Sequence, residues 1–215
     1  MPVPRIEPTG DGSQTLLSPE GRVYHSVAGA VGESMHVFIG MGLRGREAAG
    51  IDSPLRVLEV GLGSGLNCLL SARESCPVRY TAVERYPVPE AVWSAMQYAA
   101  DPVFGAIHRA PWGEWTQVTP AMELLKIEAD LTAAELPNGA FDVIYMDAFA
   151  PDDQPKLWTV EVFRKLFAAT APGGILVTYC AKGDVKRALR AAGYTVRRLP
   201  GALGKRHMLQ CIKQT

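Results

Sequence analysis

Val57-Leu58-Glu59-Val60-Gly61-Leu62-Gly63-Ser64-Gly65-Leu66-Asn67 runs from an apolar, strand-like segment through three glycines into the start of a helix. Glycine tolerates positive φ and leaves room for a ligand to lie against the backbone. The spacing is G-x-G-x-G, not the G-x-G-x-x-G of dinucleotide binders, where helix N-terminal amides are aimed at a pyrophosphate. A single nucleoside therefore suits this turn better than nicotinamide or flavin dinucleotides.

Outward from this turn, strands and helices alternate. The patterning predicts strands at 55–60, 78–84, 124–128, 141–146, 173–179, 195–199 and 208–212. Helices are predicted near 66–74, 87–99, 157–169 and 184–192, with a long connection over 101–121. This order predicts a doubly wound, Rossmann-like α/β fold with a mostly parallel seven-stranded sheet, closed by a final strand pair that has no helix between its members. Ahead of it, Ser13–Leu17 and Arg22–His25 flank the turn residues Pro19-Glu20-Gly21 and read as a β-hairpin. Apolar residues from Ala30 to Leu43 recur at helical spacing. The expected organisation is an N-terminal hairpin and helix extension over 1–50 covering the ligand site, and a main domain over 51–215.

The 215 residues and 47% hydrophobic content suit one domain with a full core. The start of the chain lacks the basic-then-apolar pattern of a secretion signal, and no run approaches the roughly 18 apolar residues of a membrane span. Four scattered cysteines read as reduced thiols of a cytoplasmic protein, with no metal site expected. The formal net charge is zero but polarised: from Ala181 onward nine basic residues face one acid, leaving thirteen basic and twenty-one acidic residues before it. Such a tail suits either a solvated face or contact with a polyanion.

Acidic residues fall at successive strand ends. Glu59 lies in the first strand and suits hydrogen bonding near the amino-acid part of a donor. Glu84 follows Gly65 by 19 residues and can accept both ribose hydroxyls. Asp130 follows the third strand and suits an adenine amino group. Together with Gly61, Gly63 and Gly65 they describe a site for S-adenosylmethionine. Asp147 ends the fourth strand in Asp147-Ala148-Phe149-Ala150-Pro151, where an acceptor amine would meet the methyl group. A carboxylate there can orient the amine and take up its proton, while Phe149 and Pro151 form an apolar wall for a planar base. Asp142, at the start of that strand, reads as structural.

These segments, with Asp11-Gly12-Ser13, Tyr24-His25-Ser26, Glu33-Ser34, Asn67, Trp158-Thr159, Thr178-Tyr179-Cys180-Ala181-Lys182-Gly183 and Gly204-Lys205-Arg206, resemble the methyltransferase domain of MnmC from about Asp11 to Met208. The resemblance implies N-methylation of the aminomethyl group of a modified wobble uridine in tRNA, giving 5-methylaminomethyl-2-thiouridine. That domain is often fused to a flavin-dependent oxidase. This chain shows no second dinucleotide turn and resembles the stand-alone form, whose implied partner is a separate oxidase or other aminomethyl-forming enzyme. The resemblance further implies that Tyr24 and Glu33 close over the donor, with Glu33 accepting from its ammonium, and that Asn67 belongs to the donor site. Lys205 and Arg206 become candidates for tRNA phosphates. His25 and His36 read as packing or capping residues. Trp112 and Trp115 suit either base stacking or crevice filling.

Two other functions use the same scaffold. An aminopropyltransferase of the spermidine synthase type shares the sheet, but would call for an Asp pair for its polyamine, and a basic tail repels that substrate. A silent tRNA- or nucleoside-binding module has no need of Glu59, Glu84, Asp130 and Asp147 together.

Overall fold

The computed structural model describes residues 3–48 and 54–215. β1 (Arg5–Pro8) and β2 (Gln14–Leu17) form a separate antiparallel pair, with Arg5 opposite Leu17 and Pro8 opposite Gln14. The predicted hairpin is thus displaced: β2 pairs backward with Arg5–Pro8, and the following stretch adds a single bridge, Leu17 to Val23. The Pro19-Glu20-Gly21 turn does form, with Ser18 N–H donating to Arg22 O at 2.8 Å. Beyond it the chain leaves the strand. Tyr24 N–H still reaches Leu16 O, but Thr15 Oγ1 clasps the His25 backbone at both its N–H and its C=O, and Tyr24 and His25 turn toward the site.

The predicted helix starts as α1 (Ala30–Ser34), widens to π-type turns over Met35–Arg44 and ends in α2 (Gly45–Glu47). Its buried face (Val37, Phe38, Ile39, Gly42, Leu43) lies on the sheet. A side chain at Gly42 would begin 3.0 Å from Tyr145 Cε1 and 3.1 Å from Val177 Cγ2, so glycine sets this approach. The helix thus runs past Leu43 as far as Glu47, and residues 49–53 fall outside the described residues.

Next come β3 (Leu55–Val60), α3 (Leu66–Ala72), β4 (Val78–Glu84), α4 (Glu90–Trp93) with a 3-10 turn at Gln97–Ala100, α5 (Pro102–Arg109), β5 (Trp115–Thr119), β6 (Met122–Glu128) and β7 (Phe141–Met146). After a 3-10 turn at Pro155–Trp158 follow α6 (Val160–Ala169), β8 (Thr170–Thr178), α7 (Gly183–Ala191), β9 (Thr195–Pro200) and β10 (His207–Ile212). The sheet order is β5-β6-β4-β3-β7-β8-β10-β9, with β6, β4, β3, β7 and β8 mutually parallel and β5, β10 and β9 pairing antiparallel to their neighbours. The sheet therefore has eight strands, not seven. The connection over 101–121 contains the extra edge strand β5 and helix α5, whose start Asp101 caps by accepting from Val103 N–H.

Alternate residues of the central strands feed two cores. Val57, Tyr80, Val143, Tyr145 and Val177 pack under α3, α5 and the π-type helix. Leu58, Val83, Ile144, Met146 and Leu176 pack under α6 and α7. At the opposite end from the glycine turn, Asp142 accepts from Arg56 N–H and, at 2.8 Å, from its guanidinium, the structural role expected of it. No helix among the described residues is long and apolar enough to cross a membrane.

Gly42→Val should lower unfolding stability by about 1–3 kcal/mol through overpacking against Tyr145 and Val177. At roughly 2–4 °C per kcal/mol for a chain of this size, calorimetry should read a clear fall in Tm. An unchanged Tm would mean that the helix does not rest on the sheet at this point.

Candidate active site

The site is built where β3, β4, β6 and β7 end. Gly61 leaves β3 at φ +88°, and a side chain there would begin 3.0 Å from Asp147 O, so the β3 and β7 turns meet backbone to backbone. Gly63 and Gly65 complete the turn, also with positive φ. Glu84 holds it from β4, with Oε2 accepting from Gly63 N–H at 3.0 Å and Oε1 from Tyr86 N–H at 2.7 Å. Each carboxylate oxygen has two lone pairs, so Glu84 keeps acceptor capacity toward the adjoining cavity.

That cavity has a volume of about 390 Å³, and its wall includes Tyr24, Gly61, Gly63, Glu84, Asp130, Asp147 and Phe149. Glu33, Glu59, Gly65, Asn67, Pro151, Lys205 and Arg206 are absent from the wall, although the sequence groups them with the same site. Most of these lie one layer behind it. Asn67 Nδ2, on the first turn of α3, donates to Glu59 Oε1 at 2.9 Å and to Asp147 Oδ2 at 2.7 Å. Glu59 is fully buried, and its other oxygen has no partner. It therefore acts on the cavity through Asn67 and Asp147, and not directly. Gly65 faces His108, whose Nε2 lies 2.9 Å from where a Cβ would sit.

Glu33 is buried, accepts from Ser26 N–H at 2.9 Å and pairs with Lys205. Lys205 reaches it from the β9–β10 loop, its ammonium 5.5 Å from the centre of the Tyr179 ring. The resemblance makes Lys205 a candidate for tRNA phosphate; its side chain stays 43% exposed while its ammonium pairs with Glu33, whose buried carboxylate is costly without a counterion. Arg206 is exposed.

Three carboxylates, from Glu33, Glu59 and Asp147, thus converge with one lysine. Burial pushes the Glu59 carboxyl up to about 8. Burial first, then Glu59 and Glu33, push Asp147 well above the usual carboxylate range, against the Asn67 hydrogen bond and Lys205. Burial also holds the His25 imidazole down to about 4, so it adds no positive charge near neutral pH. An incoming cation reverses the carboxylate shifts by favouring their charged forms. The chamber is electrostatically suited to a positively charged ligand.

Asp130 differs. Thr132 donates to it through both its hydroxyl and its N–H, and Arg85 pairs with it at 2.5 Å; these partners, the Thr132 hydroxyl foremost, hold its carboxyl below the usual range. Phe149 meets Tyr24 edge to face, with ring centres 4.9 Å apart. Its backbone is fixed by Gln154 Oε1, which accepts from its N–H, and by Trp158 Nε1–H, which donates to its C=O. The two tryptophans stand elsewhere. Trp112 borders a second cavity of about 60 Å³ behind Gly63, and Trp115 stacks with Arg79 on β5.

Sequence reasoning missed Arg22, His25, Arg85, Tyr86, Gln154 and Lys156 on the wall. Arg85 and Tyr86 directly follow Glu84 and were within reach of a strand-end argument. Gln154 and Lys156 sit in an irregular turn that no periodicity marks.

Residues 110–214 match the family described as S-adenosyl-L-methionine-dependent methyltransferase. Over these residues the chain matches a methyltransferase family, and S-adenosyl-L-methionine is the methyl donor that the match supports. It is 32% identical, over 91% of its length, to the tRNA 5-methylaminomethyl-2-thiouridine biosynthesis bifunctional protein MnmC of Burkholderia multivorans, covering 33% of that protein. The chain thus spans about a third of the length of the relatives it matches. Its fold is similar to that of MnmC2 from Aquifex aeolicus (TM-score 0.73, 24% identity, 98% of this chain and 70% of that one). It is also similar to spermidine synthase from Thermotoga maritima (TM-score 0.58, 17% identity, 98% and 69%). At these identities the two structures speak to the fold alone. The MnmC resemblance read from scattered motifs extends over most of the chain.

Glu84→Ala should weaken donor binding by about 1–3 kcal/mol, the scale of hydrogen bonds to a charged group. Isothermal titration with S-adenosyl-L-methionine would read it, and parent-like affinity would remove Glu84 from the donor site.

Proposed function

We propose that this chain, acting in the cytoplasm, transfers the methyl group of S-adenosyl-L-methionine to the aminomethyl nitrogen of a modified wobble uridine in tRNA. The observation that carries this reading is the chamber in which Asp147, Glu33 and Glu59 outnumber Lys205 beside the glycine turn. Donor sulfonium, donor ammonium and acceptor ammonium are all cationic, and a chamber with excess buried carboxylate favours all three. The MnmC relatives support the choice of acceptor.

The donor fits the residues present. Gly61 and Gly63 border the cavity with backbone alone, and Glu84 offers free lone pairs beside them. Bound there, S-adenosyl-L-methionine supplies an electrophilic methyl group on sulfur. Glu84 would accept from the ribose and Asp130 from adenine, with Glu59 and Asn67 setting the orientation of Asp147. An alkylammonium cannot attack until it loses a proton. Asp147 takes that proton and orients the nitrogen for in-line displacement. Phe149, held edge-on by Tyr24, and Pro151 after it would border the uracil ring. Residues 1–50 act as a cover over the donor, and 51–215 carry the catalytic sheet.

Asp147→Asn should bind donor normally yet lose rate by about 10²–10⁴, typical of a positioned acid–base group. Because burial raises the Asp147 carboxyl, its charged form is lost as pH falls, so the parent rate should decline toward acid. The variant should regain part of its rate at higher pH, where more acceptor amine is already neutral. Single-turnover methylation of aminomethyl tRNA across pH would check this; a parent-like rate at neutral pH would reduce Asp147 to a structural acid.

Lys205 and Arg206 are both proposed for tRNA phosphate; Lys205 also pairs with Glu33, so Arg206 gives the cleaner test. Arg206→Ala should leave donor affinity unchanged and flatten the salt dependence of tRNA binding by close to one unit of log–log slope. An identical slope in mutant and parent would return Arg206 to a solvated surface.

A further inference from the structure

We infer that His25 is a positioning residue for methyl transfer, with a neutral imidazole whose Nδ1–H faces Asp147 Oδ2 and steadies that carboxylate without adding positive charge. The inference rests on the role proposed for Asp147. The His25 side chain is 5% exposed and belongs to the wall of the same cavity as Asp147. Its Nδ1 stands 3.7 Å from Asp147 Oδ2 and has no hydrogen-bond partner. Its Nε2 stands 3.3 Å from Ser64 Oγ, in the glycine turn. A buried nitrogen left unpaired is costly, and hydrogen bonds of catalytic groups are often long before ligands enter and tighten afterwards.

The tautomer follows from the two neighbours. Ser64 has a hydroxyl proton to donate to Nε2, whereas a carboxylate can only accept. Both requirements are met with the imidazole proton on Nδ1. The backbone fixes the aim: Thr15 Oγ1 accepts from His25 N–H at 2.9 Å and donates to His25 O at 3.2 Å. This clasp holds His25 against Thr15 of β2, past the single Leu17–Val23 bridge.

A neutral donor suits this position better than a cation. The charged and titratable groups around Asp147 are Glu59 on β3, Glu33 on α1, Lys205 on the β9–β10 loop and Tyr179 after β8. Lys205 is already committed to Glu33. A second fixed cation beside Asp147 would repel both the sulfonium and the acceptor ammonium. A neutral N–H supports the carboxylate and leaves its charge available to them.

The test uses side-chain geometry. The amide nitrogen of Asn can stand where Nδ1 of His stands, and that of Gln where Nε2 stands. His25→Asn should keep the donor to Asp147, and His25→Gln should keep only the contact to Ser64. Carboxyl carbon NMR of the ligand-free protein should show Asp147 titrating near its parent value in His25→Asn. In His25→Gln it should titrate about one pH unit higher, the size of one hydrogen bond to a charged group. The acid limb of single-turnover methylation should follow the same order, with His25→Gln about tenfold slower on that limb and donor affinity equal in both. A reversed order, or equal titration in the two variants, overturns the inference and makes His25 a packing residue. Loss of tRNA methylation in the parent itself, with the titration order intact, would overturn the proposed substrate and leave His25 acting on Asp147.

Discussion

One amide joins the fold to the chemistry. Asn67, on the first turn of α3, donates to Glu59 on β3 and to Asp147 at the end of β7, tying three elements at the point where the cavity begins. Both carboxylates are buried, so without this bridge each would face its neighbour with no shared donor. The bridge is possible because the β3 and β7 turns touch at Gly61 and Asp147 O. A side chain at Gly61 would separate the strands and open the bridge, so glycine at this position serves the carboxylate geometry as much as the donor.

Much of this was legible in the sequence, for identifiable reasons. The central parallel strands are buried on both faces and read as apolar runs, and their order predicts the doubly wound sheet. Strand ends in such a sheet are where ligands bind, which explains why Gly61, Glu84, Asp130 and Asp147 could be singled out from position alone. The edge strand β5 was harder. Trp115–Thr119 is short, largely polar and exposed on one side, so it shows neither an apolar run nor a clean alternation. The displaced hairpin has a different cause. Pro19-Glu20-Gly21 carries real turn chemistry and does make a turn, but pairing after it stops once Thr15 captures His25. No local pattern reveals that a side chain ten residues back will end a strand.

The depth of each site residue was also invisible to sequence. Glu59 and Glu84 both belong to strands feeding the glycine turn and look equivalent as text. Glu84 ends its strand and borders the cavity, whereas Glu59 is one residue short of the end of β3 and is buried beneath Asn67 of α3. Across the β3–β4 pairing Glu59 stands opposite Ala82, two residues before Glu84, so both side chains lie on the same face and position along the strand separates a wall residue from a supporting one.

The polarised charge of the chain looks different once partners are assigned. Of the nine cations after Ala181, Lys205 is paired with Glu33, Lys182 with Asp152 and Arg187 with Asp184, and Lys213 donates to Phe167 O and Thr170 O. Among the described residues, Lys186, Arg190, Arg197, Arg198, Arg206 and Lys213 make no salt bridge. These six cations still form a basic region, but one weaker than the formal count. Coulombic attraction to a polyanion depends on charge that is free at the surface, and pairs within a few ångströms cancel at longer range. The sequence tally therefore overstated the electrostatic pull of the tail, while concealing that one of its lysines pairs with the buried carboxylate of Glu33 behind the cavity wall.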